Sequence, residues 1–246
     1  MIEHINNATL RAVSLSSWVA NSKNIQEIFA NKDREQLQEV TLPIYNEAKK
    51  VANFDKFQFH LPPATSFLRL HKLGKFGDDL SKVRPTIVAV NAEKKNIQGL
   101  DKGTFGFGIR GLSPIFHNNN HIGSVEFGVG LNDNFLQRLK DLYQTNAAIV
   151  VEVNGKYDVL AKNYEFSNLE SLFEAYKSVM KGGADESILQ DLGGNHIYSH
   201  VGPLKDFSGK VEGVVVIEKD ITDKVHELEN LLIYYLIGAL ISATVI

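Results

Sequence analysis

The sequence predicts an α+β protein: a long N-terminal helix, two small modules built on antiparallel sheets, and a C-terminal helix that enters a membrane. Three observations predict this. Apolar residues recur at helical spacing through the first fifty positions, one two-strand pattern returns about 90 residues later, and the last sixteen residues, 231–246, carry no charge. A chain of 246 residues can bury one large core or two small ones.

Composition narrows the function classes. The chain is 43% hydrophobic and 22% charged with a net charge of −3, so no basic excess exists to neutralise phosphates, and nucleic acid is not an expected partner. Cysteine is absent, which removes disulfides, thiol catalysis and Cys-ligated metal, and leaves the compartment open. Met1-Ile2-Glu3-His4 opens polar and helical rather than as a signal peptide, so an extracytoplasmic domain would need a span before it.

In the N-terminal helix, Ile5, Ala8, Ala12, Leu15 and Val19 alternate spacings of three and four, the seam of a helix that packs on another helix. Asn31-Lys32-Asp33 interrupts it. Leu37, Val40, Ile44, Ala48 and Val51 resume the pattern, with Pro43 expected to bend the second piece. From Phe57 the pattern turns to short strands with turns at Pro62-Pro63 and Gly74. A helix is expected over 79–96, then a hairpin of 103–116 and 122–129 around Asn118-Asn119-Asn120. Residues 132–143 read as helix, and 147–153 and 157–161 as a second hairpin around Asn154-Gly155. Helix follows over 169–180, stopped by Gly182-Gly183. Strands follow over 197–204 and 211–217, and Asp220 or Thr222 can cap the last helix.

The two-strand pattern is a repeat. Pro114 returns as Pro203 and Gly123 as Gly213, with a polar residue and a helix after each second strand, which suits a duplicated α/β module. At the C-terminus, Leu231 to Ile246 resembles a membrane span cut short, because a bilayer core of roughly 30 Å takes about 20 apolar residues in a helix.

Chemistry-bearing residues gather in two places. If 67–71 is a strand, Phe67, Arg69 and His71 share a face, and a guanidinium and an imidazole beside an aromatic ring can hold a small anion. Arg84 follows on the next helix. The alternative is that Arg69 and Arg84 pair with Asp78, Asp79 or Glu126 and hold the fold together. In the glycine-rich strand, Phe105, Phe107 and Ile109 make an apolar wall, while Thr104, Gly106, Gly108 and Arg110 leave nearly bare backbone ending in a guanidinium. Gly106-Phe-Gly108-Ile-Arg-Gly111 matches the dinucleotide pattern in letters only, since no helix N-terminus follows to cradle a phosphate. His117 and His121 flank an Asn-rich turn with no acidic ligand beside them, so no metal is expected. Nucleophile elbow, phosphate loop and His-Glu-x-x-His are all missing, and no catalytic residue or cofactor is expected.

Phe67-Leu68-Arg69-Leu70-His71, Phe76-Gly77-Asp78-Asp79-Leu80-Ser81-x-x-Arg84, Ile109-Arg110-Gly111-x-x-Pro114 and Ile122-Gly123-Ser124-Val125-Glu126 together resemble a double Cache sensor domain, the extracytoplasmic sensing region of bacterial chemoreceptors, sensor kinases and diguanylate cyclases. The resemblance implies two PAS-like modules and a division into 1–52 (dimerisation or stalk helix), 53–145 (membrane-distal module), 146–222 (membrane-proximal module) and 223–246 (linker helix and span). It implies a ligand in the distal module, with Arg69, His71, Arg84, Arg110 and Glu126 at the matching positions and Phe67 and Phe107 beside them. The expected function is a periplasmic, inner-membrane receptor domain, most simply of a chemotaxis receptor, that binds a small anionic metabolite; the alternatives are recognition of a periplasmic binding protein, or the sensor of a histidine kinase or diguanylate cyclase. The seam from Ile5 to Val19 would pair with its symmetry mate in a receptor homodimer.

Overall fold

Helix-forming residues fill the N-terminus but are cut twice. The computed structural model describes residues 2–103, 106–153, 155–166 and 169–244, with the backbone alone at 2, 238 and 240–244. Thr104 and Phe105 of the glycine-rich strand, Asn154 of the second hairpin turn and residues 245–246 of the apolar tail lie outside these. Helices α1 (Ile2–Ala20), α2 (Lys23–Ala30) and α3 (Arg34–Ala52) replace the expected two pieces. Asp33 caps α3 by accepting the Gln36 amide at 2.9 Å, and the helix runs on through Pro43.

The chain divides into two compact units, Met1–Phe135 with Lys205–Lys210, and Leu136–Leu204 with Val211–Ile246. The first holds β1 (Lys56–Leu61), β2 (Thr65–Arg69), α4 (Pro85–Glu93), β3 (Ile97–Gly103), β4 (Gly106–His117) and β5 (Asn120–Gly130), and its antiparallel sheet has the order β2-β1-β5-β4-β3. The helix expected over 79–96 starts later, at Pro85. The residue before a proline is pushed out of the helical region, as Arg84 is at φ −137° and ψ 74°, while Pro at the first helical position costs no hydrogen bond. Strand β3 was not expected, because Gly99, Asp101 and Lys102 break the strand pattern. The β4–β5 turn matches expectation, with Asn118 and Asn119 both at positive φ.

One face of this sheet packs on the helices. Phe57, Phe59 and Phe127 lie there, Phe57 stacked on Phe127 at 4.0 Å and Phe29 of α2 tilted on Phe59 at 5.6 Å. The seam of α1 faces the same way: Ile5, Ala8, Ala12 and Val19 are buried, and Ser16 donates to the Gly111 carbonyl of β4 at 2.5 Å. This corrects the dimer reading of that seam. Its small residues let α1 lie close on the sheet of its own chain. The opposite side of α1 leaves Leu10 and Trp18 exposed. On the other face of the sheet α4 covers a smaller cluster of Ala64, Leu80, Ile87, Val90 and Leu112.

The second unit holds most of α5 (Asp133–Tyr143), then β6 (Asn146–Val153), β7 (Lys156–Lys162), a 3-10 turn leading into α6 (Phe173–Met180), β8 (Glu186–Leu192), β9 (Asn195–Lys205) and β10 (Val211–Asp220). Its sheet order, β7-β6-β10-β9-β8, repeats that of the first. Ala175, Tyr176 and Val179 of α6 pack on Val150, Val201 and Val214. The last helix, α7 (Thr222–Thr244), begins where Asp220 accepts the Thr222 amide at 2.9 Å. Among the described residues no helix is long and apolar enough to cross a membrane, since Asp223, Lys224, Glu227 and Glu229 occupy the first turns of α7.

Candidate functional site

Strand alternation sets one polar face in the first unit. Gln58 of β1, Glu126 of β5 and Leu112 of β4 are in register and point away from the α1–α3 face, as does Arg110, paired with Gly128. The pre-proline kink leaves Arg84 at the head of α4, where it bridges two carboxylates: Nε donates to Asp101 of β3 at 2.8 Å and Nη2 to Glu126 at 2.7 Å. The Thr86 hydroxyl donates to the same Asp101 oxygen. Arg69 is held at the end of β2 by a two-pronged contact with Asp78 at 2.6 and 2.9 Å and by the Lys75 carbonyl.

Arg110 is different. Its guanidinium lies on bare backbone: a Cβ on Gly108 would fall 2.2 Å from Nη2, and one on Gly128 2.3 Å from Nη1. The glycine-rich surface that the sequence suggests for a ligand therefore seats this side chain first. Arg110 Nε stands 3.5 Å from Glu126 Oε1, close enough for attraction but not for a hydrogen bond. Nε and Nη1 are both buried without a partner, as is Glu126 Oε1.

Electrostatics follow from these contacts. Burial works against ionised Glu126, yet Arg84, Arg110 and His60 outweigh it and hold its pKa down at about 2. Burial also works against charged Arg84, but Glu126 and Asp101 hold it above its ordinary value. Arg110, touching one carboxylate at longer range, is lowered because its burial is not fully compensated. His60, fully buried with Nε2 3.9 Å from Glu126, is pushed down to about 3 by desolvation and is neutral. His71 is lowered to about 4, chiefly by burial and then by Lys56.

A cavity of about 490 Å3 opens over this face, in the size range of metabolite sites. The structure brings Arg69, His71, Arg84, Phe107 and Arg110 to its wall. Glu126 is not in the wall and reaches it through Arg84 and Arg110. Phe67 is a correction. A register shift opposite Phe59 and His60 makes it the extra residue of a β-bulge, so its ring turns to the helix side and packs edge-on against Phe29 at 5.2 Å. His71 lies just past the end of β2, and its Nδ1 sits 3.4 Å from the Phe57 carbonyl. The ion-pair alternative holds for Arg69 with Asp78 and for Arg84 with Glu126. Asp101 and His60 were not singled out in the sequence: Asp101 sits in the unexpected strand, and His60 is marked only by alternation with Phe57 and Phe59.

A family model described as the double sensory domain of two-component sensor kinases matches residues 2–225. Among solved structures, an extracellular domain assigned to a histidine kinase is similar at TM-score 0.54 and 14% identity, covering 91% of this chain and 89% of that one. The sensor domain of the Vibrio cholerae histidine kinase DctB aligns at 0.53 and 9% identity, covering 87% and 91%. The periplasmic domain of Vibrio cholerae LuxQ aligns at 0.52 and 12% identity, covering 89% and 96%. At these identities the likeness shows the fold. No curated protein matches the chain.

Proposed function

We propose that this chain, which belongs to the double Cache family of double sensory domains, is the ligand-binding part of a bacterial transmembrane receptor and takes a small carboxylate in the cavity of its first unit. One observation carries the ligand class: the Nε and Nη1 of Arg110 are buried in the cavity wall with no acceptor. An unpaired buried donor is costly, and a carboxylate oxygen is the strong acceptor that an unpartnered guanidinium N–H takes. Arg69 and Arg84 are already neutralised by Asp78, Asp101 and Glu126, so they position the site rather than anchor the ligand.

The first unit is then the membrane-distal module and the second the proximal one, with α7 leading to the inner membrane and the sensor outside it. The family description favours a kinase as the output over a chemotaxis receptor. Such a domain senses and does not catalyse. Thermal-shift screening against small carboxylates tests the ligand, because one present at 100 times its dissociation constant stabilises by about 2.7 kcal/mol. Arg110→Ala is expected to abolish that shift while the variant still unfolds cooperatively. If no carboxylate shifts the wild type, or if Arg110→Ala responds as the wild type does, the anion reading fails, and recognition of a binding protein through the outer surface becomes the better one.

A further inference from the structure

The bulge that turns Phe67 away from the Arg110 cavity places it in a second one. This groove, about 410 Å3, lies between the start of α3 and the loop that follows β2, and Leu61, Phe67 and Phe76 supply its apolar surface. Arg34 lies over the Phe76 ring, its guanidinium carbon 3.3 Å from the ring centre, and Arg34 Nη1 is buried with no hydrogen-bond partner. The neighbouring Asp33 accepts the Gln36 amide on Oδ1, and Lys32 and Glu35 also line the groove, one charge of each sign. A guanidinium stacked on an aromatic ring keeps its donors in the ring-parallel plane, so an acceptor must approach its edge, and aromatic walls favour a flat apolar body behind that acceptor.

We propose that this groove is a second ligand site, separate from the Arg110 cavity, for a small carboxylate with a flat apolar body, its carboxylate on Arg34 and its body against Phe67 and Phe76. The two sites share a short wall. Phe76 and Gly77 line the second, and the next residue, Asp78, lines the first and holds Arg69. That strip is pinned to β2, the Gly77 amide donating to the Ser66 carbonyl at 2.7 Å and the Ser66 amide to the Asp78 carbonyl at 3.1 Å. A molecule seated beside Phe76 therefore presses on the segment that sets Arg69.

Benzoate is a suitable probe, followed by saturation-transfer NMR on the full chain and on the variants Arg34→Gln, Phe76→Ala and Arg110→Ala. Transfer to benzoate is expected with the wild type and with Arg110→Ala. Affinity should fall about tenfold in Arg34→Gln, the loss of one charge-assisted contact. Phe76 is half exposed, so Phe76→Ala keeps the test decisive should Arg34→Gln fail to fold, as read by circular dichroism. No transfer to the wild type overturns the proposal, as does unchanged affinity in the folded Arg34 and Phe76 variants. Loss in Arg110→Ala alone would move benzoate to the first cavity and equally overturn it.

Discussion

Glu126 shows how one residue organises the first unit. It is fully buried, yet ionised, because two guanidinium groups reach it; with either missing, a buried charge would be left uncompensated. His60 beside it pays the cost of that arrangement in pH sensitivity. Its folded pKa of about 3 lies below the ordinary 6.5, so between those values the unfolded chain binds a proton that the folded chain does not, and stability falls as pH falls through that window. From pH 7 to pH 5 this one group should remove about 2 kcal/mol, by the pKa linkage at ~1.4 kcal/mol per unit. Urea unfolding of wild type and His60→Gln at both values reads it, and the variant should lose that much less on acidification. Equal losses in the two proteins would show that His60 is not neutral in the fold. Much of this could be read from residue types: Arg69, Arg84, Arg110 and Glu126 stand out in the sequence. Their division of labour could not, because which carboxylate each arginine meets depends on strand register and on where α4 begins.

At the scale of elements, long patterned segments were legible and interruptions were not. The β4–β5 and β6–β7 hairpins follow from alternation and turn residues, and α5 from its apolar stripe. The strands β3 and β8 did not stand out, since both lie at sheet edges and carry few apolar residues among polar ones and glycine. The seam of α1 was visible but its partner was not: a row of small and apolar residues fits a second helix or a sheet equally well in sequence. The partner is β4, where a Cβ on Gly111 would lie 2.1 Å from the Val13 backbone nitrogen. Gly111→Ala should therefore prise α1 from the sheet and destabilise by roughly 2–3 kcal/mol, the usual size of core overpacking. Gly128→Ala meets the Arg110 side chain at 2.3 Å and the Ile109 carbonyl oxygen at 2.9 Å, so it displaces the guanidinium from its seat beside Glu126. It should lower the melting temperature, because Glu126 loses one of its two compensating charges, and remove the carboxylate-induced thermal shift; a shift that persists would show that Arg110 keeps its place.

Across the whole molecule the two sheets repeat one strand order, and among the described residues the buried arginine–carboxylate cluster lies on the first. At the repeat spacing, Arg110 corresponds to Ser199 and Glu126 to Val216, both fully buried, and Glu218 lies two positions further along β10. Two sheets of one strand order thus differ in the residues that stand at matching positions. The second unit ends in α7, whose two halves differ in kind. Its first turns are charged, whereas Leu231, Leu232, Tyr234 and Tyr235 are 60–77% exposed with no polar residue among them. An apolar surface of that sort marks contact with a membrane or another protein. The uncharged part of α7, from Leu231 to Thr244, is about 21 Å long at 1.5 Å per residue, less than the ~30 Å of a bilayer core, but enough to enter one leaflet, with the two tyrosines suited to the interface. The full chain should therefore float with lipid vesicles in a density gradient, and a chain ending at Asn230 should stay with the soluble fraction at an unchanged melting temperature. Equal flotation of the two would place the membrane contact elsewhere. A full chain that remains soluble but self-associates would assign the exposed face of α7 to a second copy.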